Sequence, residues 1–210
     1  MKKIAITQRL VLNDSYYELR EALDVEWGAL FQELEFLPII LPIEYDFKKY
    51  FKMIDIDGIL LTGGNDLDSI SQNDVSQKRD DFEKKLIDYA IENNIPIFGI
   101  CRGMQILAEY FGVDLIKVEN QIAVKHQLFV NENSKYFNKL ININEVNSFH
   151  NYAVNQVSKE FIISAWDKDR EVIKAIEHKK HKIFGQMWHS EREKPFVQDE
   201  LNLIRDFFDD

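Results

Sequence analysis

Short apolar runs alternate with longer stretches of helical periodicity through the first half of the chain. Ile4–Thr7, Leu37–Leu41, Gly58–Leu61 and Ile95–Ile100 are rich in Ile and Leu and lack a polar face, as strands covered on both sides of a parallel sheet do. Between them, Ser15–Leu34 and Ser76–Asn93 carry apolar residues at helical spacing; Phe82, Leu86, Tyr89 and Ala90 make one stripe opposite a charged face. This alternation predicts an α/β layered fold with a mostly parallel central sheet flanked by helices. After Gly112 the strand patterns shorten to Asp114–Val118, Val124–Val130, Leu140–Val146, Phe161–Ala165, Glu171–Glu177 and Lys182–Trp188, before a closing helix around Pro195–Phe208. The C-terminal half therefore reads as additional β-structure. With no internal repeat, low-complexity tract or Pro/Gly/Ser linker, a single domain over residues 1–210 is expected.

Composition narrows the classes of function. At 45% hydrophobic residues the 210-residue chain can bury a sizeable core, while a formal net charge of −10 without a Lys/Arg stripe repels phosphate backbones. Nucleic acid is excluded as a partner. No stretch approaches the ~20 apolar residues of a membrane span, and the apolar segment after Met1-Lys2-Lys3 is too short for a signal-peptide core, so a cytoplasmic protein without a membrane partner is expected. A single cysteine rules out an internal disulfide and any multi-cysteine metal site, and no metal or cofactor is expected. Such a residue is ordinarily a small buried hydrophobe, so its role rests on its surroundings.

Cys101 lies in Ile95-Pro-Ile-Phe-Gly-Ile-Cys-Arg-Gly-Met-Gln-Ile-Leu-Ala-Glu-Tyr-Phe-Gly112, where a buried-strand pattern runs directly into a helical one. Gly99 and Gly103 flank it at −2 and +2, the spacing of a nucleophile elbow, whose sharp strand-to-helix turn needs small neighbours. A thiol in the first helical turn feels the positive end of the helix dipole, and Arg102 adds charge; both favour thiolate. The Arg102 N–H would point at the oxygen of a carbonyl attacked by Cys101, while its side chain reads equally as a structural ion-pair partner. Thr62-Gly63-Gly64-Asn65-Asp66 follows another strand and emerges at the same sheet edge, where ligand sites of open α/β sheets collect and paired glycines let backbone N–H groups approach a ligand.

Five histidines compete for the role of base: His126, His150, His178, His181 and His189. His178 and His181 flank Lys179-Lys180 in a predicted hairpin turn and read as solvated, and His126 has nothing nearby to orient it. His189 ends the strand Lys182–Trp188 and precedes Ser190-Glu191, which puts a carboxylate two residues from the imidazole. A base with its own orienter is what a triad needs.

Taken together, Thr62-Gly-Gly-Asn-Asp66, Gly99-Ile-Cys-Arg-Gly-Met-Gln105, Asn147-Ser-Phe-His150 and Gly185-Gln-Met-Trp-His-Ser-Glu191 resemble the class I glutamine amidotransferase superfamily over nearly the whole chain. Within it the chain is similar to the γ-glutamyl hydrolase branch related to the γ-glutamyl-γ-aminobutyrate hydrolases, which share the Arg79-Asp80-Asp-Phe-Glu83 helix start. The resemblance implies that Cys101 forms a γ-glutamyl thioester, that His189 is general base and then acid, and that Glu191 orients it. It further implies oxyanion-hole N–H groups from Gly64 and Arg102, and a grip on the glutamyl α-groups by Gln105 and Ser148, Phe149 and His150, with Asn65 beside them. Two departures stand out. Ser190 occupies the position where the family commonly has proline, and the Thr62–Ser69 loop lacks a proline often found after it, so a different leaving-group pocket is expected.

Three functional readings follow. The first is a stand-alone hydrolase that releases glutamate and an amine or a phosphoramidate; similar proteins act on γ-glutamyl nucleotide phosphoramidates in capsule biosynthesis. The second is a glutaminase that delivers ammonia to a separate synthase partner. The third is a non-catalytic binding protein, whose signature would be loss of Cys101, His189 or Glu191. The retained trio favours an enzyme, and the Asn147–His150 block with Arg79-Asp80 favours the hydrolase, acting on a small γ-glutamyl molecule, with a homodimer as the candidate assembly.

Overall fold

The computed structural model describes residues 1–167 and 171–209. In chain order the first half comprises β1 (Lys3–Ile6), β2 (Arg9–Leu12), β3 (Leu19–Ala22), α1 (Glu26–Leu34), β4 (Leu37–Ile40), α2 (Phe47–Met53), β5 (Gly58–Leu61), α3 (Asp68–Ser71), α4 (Asp74–Asn93), β6 (Ile97–Ile100) and α5 (Arg102–Tyr110). The second half adds β7 (Ile116–Lys117), β8 (Ile122–Val130), α6 (Phe137–Leu140), β9 (Glu145–Phe149), β10 (Tyr152–Ala153), β11 (Phe161–Asp167), β12 (Ile173–His178), β13 (Ile183–Gln186) and α7 (Gln198–Asp209). Among the described residues nine strands form one sheet in the order β4-β1-β5-β6-β13-β12-β11-β8-β9. Its first five strands pair in parallel and the rest join antiparallel, which is the α/β architecture with C-terminal β-structure that the sequence pattern predicts.

Alternation along the strands explains the layers. Ile4, Ile6, Leu60, Phe98, Ile100 and Phe184 face one side and meet Leu30 and Phe31 of α1 and Ile204 and Phe207 of α7. Ala5, Ile59, Leu61, Ile97 and Ile183 face the other and meet Leu86 and Ala90 of α4 and Met104 and Leu107 of α5. Each large apolar side chain buried in these layers contributes roughly 1.5–3 kcal/mol. Helix α4 is started by Asn73, whose side chain accepts from the Ser76 N–H at 3.0 Å, and stopped by Asn94 in the left-handed conformation.

Three segments depart from the sequence expectation. Ser15–Leu34 is not one helix: its first part completes the β2–β3 hairpin, and α1 begins only at Glu26. Tertiary bonds override the local periodicity there, because the Asn65 side chain accepts from Leu10 N at 2.9 Å and donates to Leu10 O at 2.8 Å, pinning β2 as an extended strand. Leu140–Val146 is not one strand either, since Phe137–Leu140 forms a helical turn and β9 starts at Glu145. Leu140 and Ile143 enter the core from a turn closed by Ile143 N donating to Leu140 O at 2.9 Å. Asp114–Val118 shrinks to β7, which pairs with β10 outside the main sheet. No helix among the described residues is long and apolar enough to cross a membrane.

Candidate active site

Strands β5, β6 and β13 are neighbours, so the residues after their carboxyl ends converge: Thr62–Gly64, Cys101 and His189. Cys101 sits between β6 and α5 with φ 54° and ψ −105°, a conformation that L-residues rarely adopt and that stores backbone strain at the elbow. Its N–H donates to Gln186 O at 2.7 Å, anchoring the turn to β13. Both flanking glycines are required by close approach. A Cβ on Gly103 would lie 2.2 Å from Leu61 O, and one on Gly99 would lie 2.6 Å from the Gly103 main chain, so any side chain would push α5 off the strand ends.

His189 is held from three directions. Asn147 brackets its main chain, accepting from His189 N at 2.8 Å and donating to His189 O at 2.9 Å. Nδ1 and Glu191 Oε1 are 2.5 Å apart, both groups buried. The ring's far side lies against Cys101: a Cβ placed on Gly63 would meet His189 Cε1 at 2.9 Å and Cys101 Cβ at 3.6 Å, so both side chains stand over the same glycine. Burial pulls the imidazole pKa down, but the charge of Cys101 and then that of Glu191 outweigh it and hold it up to about 9. His189 is therefore an imidazolium at neutral pH, paired on one side with the Cys101 sulfur and on the other with a carboxylate. Along the chain Asn147 stands out only as part of a block; its two-point clamp on His189 appears only in the fold.

A buried ion cluster fixes the floor. Arg79 donates to Thr62 O at 3.0 Å, Gly63 O at 3.1 Å and Asn65 Oδ1 at 3.3 Å, and pairs with Glu83 at 3.1 Å. Arg102 pairs with both Glu83 and Asp80, so its side chain is a structural ion-pair partner. Burial lowers Arg79 to about 10, Arg102 adds to the lowering, and Glu83 opposes it; Glu83 would rise on burial but is held below its ordinary value by Arg102 and Arg79. Because the Gly63 carbonyl is taken by Arg79, the Gly64 N–H of the same trans peptide points away from Arg79. Gly64 has φ 125°. The cluster thus couples the Thr62–Asn65 loop to the first turn of α5. Removing one partner leaves a buried charge uncompensated, so Glu83→Gln is expected to cost about 3–5 kcal/mol in urea unfolding and to lower kcat through misplacement of both loops.

The other expected residues divide. Gln105 is buried, not on the helix surface, and its Nε2 donates to Tyr152 O at 2.8 Å. Ser148 is fully buried, and the Phe149 and His189 rings stand edge-to-face, centroids 5.9 Å apart. His150 is buried with Nε2 3.4 Å from Lys174 Nζ; burial, then Lys174, lowers it to about 3, so it stays neutral. Asn65 is a correction: both ends of its amide are committed to β2, with Oδ1 shared by Arg79, so it fastens the hairpin instead of facing a ligand. His178 is another. It is buried against Phe111 and Phe161, with Nδ1 accepting from Lys180 N and His181 N at 3.0 and 2.9 Å, because the turn folds back over its own strand. His126 lies within β8 and His181 in the turn before β13. Ser190, in place of proline, opens a short 3-10 turn and accepts from Gln186 Nε2 at 2.8 Å, so a hydrogen bond fixes what a ring otherwise would.

Beside His189, a shallow recess is lined by Arg9, Leu23, Trp27, Gly63 and Arg192. The Arg192 guanidinium lies over the Phe149 ring, 4.7 Å from its centroid. Cations thus border the mouth of a site in a molecule of net charge −10. Among the described residues no cluster of His, Cys, Asp and Glu is placed to hold a metal ion.

Comparison with known proteins gives a concordant picture. The family model described as Peptidase C26 matches residues 6–191. The γ-glutamyl-CDP-amidate hydrolase of Campylobacter jejuni is 40% identical over 208 residues, 98% of this chain and 96% of its own length. Among solved structures, a protein assigned to GMP synthase from Thermoplasma acidophilum superposes with a TM-score of 0.73 at 23% identity, covering 100% of this chain and 93% of its own. A glutamine amidotransferase from Thermotoga maritima gives 0.67 at 14% identity, covering 99% and 84%. At these identities the two structures establish the fold alone.

Proposed function

The chain belongs to the peptidase C26 family of class I glutamine amidotransferase-like proteins, and on that premise we propose that it hydrolyses the γ-glutamyl amide bond of a γ-glutamyl nucleotide phosphoramidate, γ-glutamyl-CDP-amidate or a near analogue, with Cys101, His189 and Glu191 as its catalytic triad. The observation that carries the reading is the buried line from Cys101 through His189 to Glu191 at the carboxyl edge of the parallel sheet. Residues 1–210 act as one cytoplasmic domain, and the chemistry requires no metal or cofactor.

The Cys101 thiolate attacks the γ-carbonyl carbon, and the C=O electron pair moves onto oxygen, stabilised by the Gly64 and Arg102 N–H groups. Collapse breaks the C–N bond as the His189 imidazolium protonates the departing nitrogen, which leaves as the phosphoramidate. Neutral His189 then takes a proton from water, hydroxide adds to the thioester, and glutamate departs with regeneration of the thiolate–imidazolium pair. A diphosphate-bearing leaving group suits Arg9 and Arg192 at the mouth, and an exposed ring such as Phe149 suits a base.

Glutamate release by the purified chain from γ-glutamyl-CDP-amidate, γ-glutamyl amines and L-glutamine tests the reading; efficient turnover of the nucleotide compound supports it. Trace activity on glutamine alone would instead identify a glutaminase that depends on a synthase partner. Arg192→Ala is expected to raise KM for the nucleotide substrate roughly 10- to 100-fold while leaving L-glutamine turnover within about threefold, because glutamine presents no phosphate. Equal losses on both substrates would remove Arg192 from leaving-group recognition.

A further inference from the structure

Lys174 is an anomalous side chain outside the triad. It stands on β12 with no solvent exposure, and its Nζ lies 2.6 Å from Gln121 Oε1, 2.7 Å from Ser148 Oγ and 3.4 Å from His150 Nε2. All three acceptors are neutral, and among the described residues no carboxylate forms an ion pair with it. Hydrogen bonds are satisfied by this arrangement, but the charge is not; burying an ammonium without a counter-ion is costly, and such groups cluster at functional sites. Burial lowers its pKa to about 8, opposed at longer range by Asp167 and by Cys101, which places the cation within electrostatic reach of the nucleophile.

The position says which anion completes it. Ser148 and Phe149 close β9 against His189: Asn147 clamps the His189 main chain and the Phe149 ring meets its imidazole. In a γ-glutamyl group the α-carboxylate lies only four bonds from the carbonyl that Cys101 attacks, so a wall packed against His189 is within its reach. His150 cannot supply the charge, because its Nε2 faces Lys174 and the ring stays neutral. Ser148 can pass it on: its oxygen accepts from the ammonium, which leaves its single O–H to donate to a further acceptor.

Building on the γ-glutamyl reading above, we infer that Lys174 is a specificity-determining positioning residue that polarises Ser148 and so selects substrates carrying an α-carboxylate. It touches no reacting atom and acts through the hydroxyl it holds.

The test compares wild type, Lys174→Met and Lys174→Gln on three amides with one common leaving group: the γ-glutamyl compound, its analogue without the α-amino group, and its 4-aminobutanoyl analogue without the α-carboxylate. In both variants kcat/KM for the two carboxylate-bearing compounds falls roughly 10- to 100-fold, mainly through KM, while the carboxylate-free compound changes less than about threefold. The thermal midpoint of Lys174→Met does not fall, since a desolvated charge is removed. A wild-type preference for the α-carboxylate that both variants keep, or a loss equal on all three compounds, overturns the assignment and leaves the γ-glutamyl reading standing. A wild type indifferent to the α-carboxylate overturns both.

Discussion

Cys101→Ala is expected to abolish glutamate release, lowering kcat by at least about 10⁴-fold, while leaving the fold intact. The thiol sits at the edge of the core, and its main-chain bonds, N–H to Gln186 O and C=O to Met104 N and Gln105 N, do not involve sulfur. Alanine keeps the Cβ and the strained backbone alike, so the packing lost with the sulfur is expected to cost about 1 kcal/mol or less. A second signature accompanies the loss. Cys101 contributes the largest share of the charge that raises His189, so its removal lets burial pull the imidazole pKa down from about 9. The sign for stability follows: a histidine raised above its unfolded value of about 6.5 stabilises the native state fully below that pH, and the contribution fades as pH rises through 9. In Cys101→Ala the fading begins at the same pH but is smaller and complete at lower pH, which a series of unfolding curves between pH 6 and 10 would reveal together with an NMR titration of the His189 ring. Retained turnover in this variant would remove Cys101 as nucleophile.

The features the sequence disclosed share a property: they are local. A buried apolar strand, Cys101 and a helix lie within one continuous segment, and His189 and Glu191 are two residues apart, so spacing alone carries their geometry. Four of the five parallel strands were legible for the same reason, since their Ile- and Leu-rich runs have no polar face; β13 read only as one of the later strands, and its parallel place beside β6 appears in the fold. The β2–β3 hairpin was not, because what makes it a strand pair is Asn65, more than fifty residues away, bonding to Leu10. Lys174 was hidden by the opposite effect. A lysine beside alternating apolar positions in β12 reads as a solvent-facing strand residue, and only the packing of β9 and Gln121 over that face seals it. Asn147 needs the antiparallel half of the sheet to reach His189 at all. Local chemistry could be read along the chain, whereas groups whose roles depend on which strand covers which face could not.

Glu191→Gln is the change that separates a working triad from a cysteine and histidine that merely touch. Glu191 Oε1 accepts from His189 Nδ1 and lies 3.8 Å from Arg192 Nε, while Oε2 is buried without a partner. A glutamine placed with oxygen toward His189 and Arg192 therefore buries an NH₂ that nothing receives, costing about 1–3 kcal/mol. The flipped amide aims its NH₂ at Nδ1 and at a guanidinium, forcing the imidazole proton onto the wrong nitrogen. Either orientation also removes the carboxylate charge, the second of the two contributions that keep the ring an imidazolium. The expected result is a fall in kcat of roughly 10³- to 10⁴-fold with KM little changed, because substrate contacts are untouched. The alkaline limb of the remaining activity moves to lower pH, since the proton that His189 must give the leaving nitrogen is lost earlier. Rate measurements from pH 6 to 10 resolve the two effects. A mild loss with an unshifted alkaline limb would mean that the main-chain clamp from Asn147 suffices to orient His189, and Glu191 would then be a buried partner of Arg192 instead of the third member of the triad.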